Sequence, residues 1–560
     1  MDGHKKMEAD MNKQEKYAAD LDHALEVAGI GWYNLKYSLV LSLLPIAFVL
    51  DQIGYSIVLP AAACDLHMSD KMRGIVASMP YVGIMLTSYP WGYLVDTKGR
   101  KKMVLYSCFT AGIFSALCGL MPGLKSFAVS KFISSLCLAC PIAVPYTYIS
   151  EILPPQYRDI MISLMNSLQL TGTVLVPLLA WAILPMKFSI DLGAFYFRPW
   201  RLLSLIYASS SLIAAILLTF GPESPKYLVT QDRYDEALKV LQNIYAGNKG
   251  KKPEEYPINK LIVPADNRTK GNFLTSLKEQ TIPFTKWSYS KWIILNGSLL
   301  FGTYSVLNGL YIWSPDVLNR VMTGGGKSRT ACEVITNRVN QTLKGETICK
   351  DNLDEVPLIV SSIAQAIFAV IVIIVSSTVK LIGKRNLLFI CYFLIGAFCV
   401  LINFIRNDMV FATILSSLPV LVLTIGSVKG YIVELLPTHL RGMALTLAMM
   451  LGTIGSVAGN NIAGLLINNS CEMMFYLFGG LLILCGGLSV LLPASDSSKI
   501  CQDEVKEIWQ AYCLKHLRNM GKEEHIEKDR TDSNEKKGKP LLWMEQRIKQ
   551  QIEYIGVDYL

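Results

Sequence analysis

Apolar residues fall along this chain in runs of about twenty, separated by short polar or charged breaks. Six runs lie at about 36–61, 73–95, 103–121, 125–149, 160–184 and 199–220. Six more follow near 290–312, 356–379, 386–405, 409–433, 441–467 and 472–493. Roughly 20 apolar residues in a helix cover the ~30 Å hydrocarbon core of a bilayer. The pattern therefore predicts an all-α polytopic membrane protein with 12 transmembrane helices. Its expected organisation is a cytoplasmic N-terminal segment (1–35), a six-helix bundle (36–220), a central cytoplasmic loop (221–289), a second six-helix bundle (290–493) carrying a long outer loop (313–355), and a cytoplasmic tail (494–560).

The two bundles repeat. Glu151-Ile-Leu-Pro154-Pro-Gln-Tyr-Arg158 follows span 4, and Glu434-Leu-Leu-Pro437-Thr-His-Leu-Arg441 follows span 10, at an offset of 283 residues. Spans 2 and 3 are joined by Gly92-Tyr-Leu-Val-Asp96-Thr-Lys-Gly99-Arg100-Lys101-Lys102, and a degenerate copy, Gly383-Lys384-Arg385, joins spans 8 and 9, with Lys380 where the first copy has Asp96. Gly99 permits a sharp reversal, and the basic residues around it belong on the cytoplasmic side. This G-x-L-x-D-x-x-G-R-K pattern resembles the signature loop of major facilitator superfamily transporters. The resemblance implies two six-helix pseudo-repeats that rock about a central site.

Composition agrees with a membrane protein: 52% hydrophobic and 17% charged residues, with a mean hydropathy of +0.36. Part of the +9 net charge is topological, so it calls for no nucleic-acid partner. The first 35 residues lack an apolar signal-peptide core, and span 1 is the expected insertion signal. No G-x-x-x-x-G-K-S/T loop is present, and no metal or nucleophile constellation stands out, so neither ATP-driven pumping, nor a cofactor, nor an enzymatic activity is expected.

Further phrases narrow the resemblance. Gly221-Pro-Glu-Ser-Pro-Lys-Tyr-Leu228 resembles the P-E-S-P-K/R signature after span 6 of sugar-porter-like members, and Asp232–Tyr245 after it reads as a short amphipathic helix. Ile57-Val-Leu-Pro-Ala-Ala-Ala-Cys-Asp65, Ala180-Trp181-Ala-Ile-Leu-Pro185, Ala194-Phe-Tyr-Phe-Arg198-Pro-Trp200-Arg201 and Trp313-Ser-Pro315-Asp316 are together similar to the synaptic vesicle glycoprotein 2 family and its relatives, over about residues 30–495. That family carries a second acid in span 1 where this chain has Gly54, and an acid where this chain has Lys429.

Asp51 lies about 22 Å along the first helix from Lys36, inside the bilayer, where a carboxylate implies a cavity, a partner or a coupling role. It is the candidate for coupling to a proton or cation. Lys429, in span 10, either faces the cavity or snorkels to the inner surface. Gln169, Asn296, Asn308 and Asn460, with Asn166 and Asn461, are intramembrane amides that either bind a solute or hydrogen-bond between helices. Gln169 also matches a position where the resembled family places an aromatic pocket residue. Asp96, Arg100, Glu151, Arg158, Glu434 and Arg441 form two acid–base sets suited to a gate that bridges the halves in one state. Of the sequons, Asn340 in the long outer loop is the candidate glycosylation site. Cys332 and Cys349 share that loop and are candidates for an oxidised pair, whereas Cys137 and Cys140 lie within a span and read as packing.

The function expected is alternating-access transport, secondary active or facilitative, of a small organic solute. It would take place in a multi-pass protein of the plasma membrane or of an intracellular vesicle membrane. The alternative is a non-transporting protein that keeps the fold for vesicle trafficking or regulation.

Overall fold

The computed structural model describes residues 18–261, 287–323, 330–336, 354–436 and 441–493, with backbone alone at 288, 377–381, 433, 441 and 442. The chain divides into Met1–Ser495 and Asp496–Leu560, and every described residue belongs to the first unit.

Each expected span is helical. The N-terminal half contains α1 (Trp32–Ala62), α2 (Asp70–Lys98), α3 (Arg100–Leu120), α4 (Leu124–Ile152, broken at Leu138), α5 (Pro155–Ile183) and α6 (Pro199–Thr219). The second half contains α7 (Trp287–Thr323), α8 (Glu355–Ile382), α9 (Lys384–Leu401), α10 (Asp408–Ile432), α11 (Arg441–Asn469) and α12 (Cys471–Ser489). Among the described residues, eleven helices are both long and apolar enough to cross a membrane. The exception is α2, whose length is ample but whose apolar character is diluted by Arg73, Pro80, Pro90 and several tyrosines. It can afford this because its polar residues face protein rather than lipid, as described below.

Packing within the halves follows the sequence repeat. α3 lies against α6 as α9 lies against α12, and α1 pairs with α5 as α7 pairs with α11. The halves meet through α2 with α11 and α5 with α8, which are exchanged by the same pseudo-two-fold, while α1 and α7 touch near its axis. Close approach is set by glycine on α11. A Cβ on Gly459 would stand 2.1 Å from the Ser305 carbonyl oxygen of α7, and one on Gly464 would stand 3.0 Å from the Asp70 carbonyl oxygen of α2. Small residues at such crossings let backbones pack where no side chain fits.

The chain departs from the expected boundaries at α7. Residues 313–323, expected in the outer loop, continue that helix. Pro315 cannot donate to the Tyr311 carbonyl, and the Ser314 hydroxyl donates to it instead at 2.8 Å. The expected amphipathic helix after span 6 spans Tyr234–Lys249. It packs against a short helix, Leu21–Ala28, and β1 (Ala18–Ala19) pairs in parallel with the strand Lys260–Leu261. Trp32, Phe220 and Trp287, all more than 70% exposed, ring the end of the bundle where Gly99 lies, as interfacial aromatics do.

Candidate functional site

The two ends of the bundle are held differently. At the end where α2 begins, Asp70 and Arg73 stand one helical turn apart, and on α7 Trp313, Asp316 and Arg320 share a face at i, i+3 and i+7. Arg73 pairs with Asp316 across the halves and with Asp70 at 3.3 Å on its own helix. Arg320 in turn pairs with Asp316 at 2.9 Å and, across the halves, with Asp70 at 3.0 Å. Asn468 of α11 donates to Asp70 at 2.7 Å and accepts from Arg320 at 3.2 Å. The Arg73 guanidinium lies 3.9 Å from the Trp313 ring centroid. Two acids and two bases, all largely buried, thus close this end. Asn468 opens the sequon Asn468-Asn469-Ser470, and its bond to Asp70 ties up that side chain.

At the Gly99 end the ion pairs stay within a half. Arg100 makes a bidentate pair with Glu151, at 3.0 and 3.2 Å, and an i,i+4 pair with the exposed Asp96. Glu151 also accepts from Ser224, while Glu223 accepts from the Lys101 and Ser224 amides. The P-E-S-P segment therefore docks on the signature loop. Gly99 sits there at φ +109, and a Cβ would stand 2.7 Å from Glu223. Arg158 reaches Asp22 of the N-terminal helix at 2.6 Å. Glu434 pairs with Lys384, its repeat counterpart of the Arg100–Glu151 bond. Among the described residues no ion pair joins the halves at this end, so in this conformation the bridging set lies at the opposite end from the one the sequence singled out. The Arg441 side chain is outside the described residues.

Asp51 is buried in the N-terminal half and paired. Lys131 of α4, itself 2% exposed, places its Nζ 2.7 Å from Asp51 Oδ2 and 4.7 Å from the Tyr55 ring centroid. Ser115 of α3 donates to the other carboxylate oxygen. These groups line a narrow cavity of about 10 Å³, hardly more than one water, with Ser204 and Tyr207. Lys131 was missed in the sequence because it lies only eight residues into its helix, where a lysine reads as a surface anchor. A Cβ on Gly54 would stand 2.5 Å from the Tyr207 ring, so the second acid of the resembled family has no room here.

The amides separate into different environments. Gln169 accepts from the Tyr146 hydroxyl at 2.6 Å. Asn308 donates to Ser456 at 2.8 Å, joining α7 to α11, and Asn461 donates to Ser78 at 2.8 Å across the halves. Asn296 and Asn460 bond back to their own helices, leaving each side-chain oxygen buried without a hydrogen bond. Asn166 is exposed. Lys429 is half-buried on α10, with no ion pair among the described residues.

The expected Cys332–Cys349 bridge is corrected. Cys332 is bonded to Cys471 at the start of α12. The segment 331–336 packs onto the core beside α12, so a partner distant in sequence is the near one in space. Cys64 is also disulfide-bonded, and Cys349 and Asn340 lie outside the described residues. Replacing Cys349 with serine is expected to leave the Cys332–Cys471 peptide pair intact in a non-reducing digest read by mass spectrometry, whereas Cys471→Ser abolishes it.

The family model described as sugar (and other) transporter matches residues 5–325. The chain belongs to the sugar (and other) transporter family. A second model, the major facilitator superfamily, matches residues 352–543. Curated relatives of this family member include synaptic vesicle glycoprotein 2C of Mus musculus, 26% identical over 338 residues, and synaptic vesicle glycoprotein 2A of Homo sapiens, 26% identical over 349. The matches cover 55% and 57% of this chain and 46% of each relative, so the chain spans about half the length of the curated relatives it matches. Among solved structures, the partially occluded inward-open xylose transporter XylE from E. coli superposes with a TM-score of 0.60 at 14% identity, covering 83% of this chain and 98% of that one. The nucleoside transporter NupG does so with a TM-score of 0.55 at 12% identity, covering 82% and 100%. The twelve-helix fold of the superfamily is therefore the fold of this chain.

Proposed function

We propose that this protein is an alternating-access transporter of a small organic solute, coupled to protons through Asp51 and Lys131. The observation that carries the reading is the asymmetry of the ends. Cross-half pairing is concentrated in the Asp70–Arg73–Asp316–Arg320 cluster, while the pairs at the Gly99 end stay within their own halves. That is the arrangement of a two-state device caught with one end closed. With the basic Gly99 loop in the cytoplasm, the closed end faces outward and the chain is inward-facing. In the opposite state the acid–base sets around Arg100, Glu151, Arg158, Glu434 and Arg441 hold the cytoplasmic end.

Asp51 and Lys131 give the coupling a chemical basis. A proton on the carboxylate removes its charge attraction to Lys131, so protonation and the packing of α1 on α4 are linked. In proteoliposomes, uptake of the transported solute is expected to accelerate under a solute-entry-directed proton gradient. Asp51→Asn should abolish that acceleration, measured per molecule of folded protein incorporated, while leaving solute exchange measurable. A gradient response that survives Asp51→Asn sinks the coupling. No uptake of any solute by folded protein moves the chain to the non-transporting reading.

A further inference from the structure

At the Gly99 end the first half carries a cap built from segments far apart in sequence. These are β1, the short helix Leu21–Ala28, the helix Tyr234–Lys249 and the strand Lys260–Leu261. Ala24, Leu25 and Ala28 are buried with Ala237, Leu241 and Ile244 in one apolar cluster, whose members all lie between Ala19 and Leu261. The cap is therefore packed on the first half.

Its polar bonds converge on the turn from α4 to α5. Asn248 donates to the Gly29 carbonyl at 2.8 Å and to the side-chain oxygen of Asn34. Asn34, 1% exposed, donates in turn to the Ile152 carbonyl at 3.2 Å. The Tyr256 hydroxyl donates to the Ala24 carbonyl at 2.6 Å. The short helix is started by Asp20, which accepts from the His23 amide at 3.0 Å, as an N-cap does. Asp22 stands in its first turn and takes the Arg158 guanidinium at 2.6 Å.

Arg158 belongs to the repeated acid–base set, with Arg441 as its counterpart, yet here an acid of its own half holds it. Its Nε is committed to the Leu153 carbonyl at 3.1 Å, which leaves the terminal nitrogens for a carboxylate. Glu434 is the acid of the second half at this end among the described residues, and it competes with Asp22 for them. We propose that residues 18–34 form a clasp that withholds Arg158 from the gate. The Gly99 end closes as Arg158 passes from Asp22 to the second half, so the segment before α1 sets the balance between the two states. The inference rests on the two-state reading and adds a regulator outside the membrane-spanning helices.

The test uses the full chain in proteoliposomes, with a cysteine at Ser56, which lines a narrow cavity between the halves. A membrane-impermeant maleimide is added on the outer side, and labelling is read per molecule of folded protein. Asp22→Asn frees Arg158 for the gate and should raise labelling about two- to fivefold, the scale of an exposed ion pair. Asn248→Ala loosens the clasp without changing charge and should act in the same direction. Arg158→Ala removes the bond from the other side, but it also deprives the gate of its base, so labelling should stay at or fall below wild type. Opposite shifts from the two partners of one bond are what a merely structural pair does not give. Arg73→Ala, which releases the ion cluster at the other end, is the control. Equal shifts from Asp22→Asn and Arg158→Ala overturn the clasp, as does no shift from Asp22→Asn. In either case a response to Arg73→Ala leaves the two-state reading standing. Silence in every variant, Arg73→Ala included, overturns both.

Discussion

Replacing Arg73 with alanine is expected to release the closed end of the bundle. The guanidinium is 4% exposed and bridges Asp316 of the opposite half while lying over Trp313. Its removal leaves two buried carboxylates sharing one remaining base, Arg320. Breaking a buried pair by deleting one partner costs about 3–5 kcal/mol, and here the cost falls on the closed state, because an open end would hydrate both acids. Every 1.4 kcal/mol shifts a two-state balance about tenfold, so a large change in population follows. The readout is a cysteine at Ser56, a buried residue of the inter-half cavity, probed with a membrane-impermeant maleimide from the outer side. Labelling should rise at least about tenfold in Arg73→Ala and fall back when Arg73→Asp is combined with Asp316→Arg. Unchanged labelling in both Arg73→Ala and Asp316→Ala would remove the cluster from any role in closure.

The second large effect is expected at Asp51 and Lys131. Both side chains are 3% exposed, so either Asp51→Ala or Lys131→Ala strands a charge within the bundle. Each single variant should lose about 3–5 kcal/mol, seen as a lower melting temperature and a loss of monodisperse protein in detergent. The double variant Asp51→Asn with Lys131→Met leaves no net charge behind and should recover most of the stability, because replacing both members of a buried pair is often close to neutral. Proton-driven uptake should not recover with it, since no titratable carboxylate remains at this site. Additive losses in the double variant would mean that the two groups do not interact. Recovery of proton-driven uptake in it would place the coupling elsewhere.

Much of this architecture is legible along the chain. Twelve apolar runs, the 283-residue repeat and the Gly99 loop are local or periodic signals, and membrane insertion makes them strong, since a backbone in hydrocarbon has few alternatives to helix. Asp51 is legible for the same reason: a carboxylate in an apolar run is costly wherever the helix packs. Its partner is not. Lys131 lies 80 residues away, and only the packing of α1 on α4 brings the two to 2.7 Å. The closure cluster was hidden similarly, because Asp70 and Arg73 read as the polar start of a span, and Asp316 and Arg320 as loop residues beyond α7.

Sequence by itself determined the helices, their number, their pairing into two related halves and the acid buried in the first span, because each depends on composition within one segment or on a repeat. Tertiary structure alone decided which charges meet, that Cys332 bonds Cys471 and which end carries the ion pairs between the halves. Those outcomes depend on contacts between segments up to 398 residues apart, as between Asn468 and Asp70, and no local pattern encodes a distance of that kind.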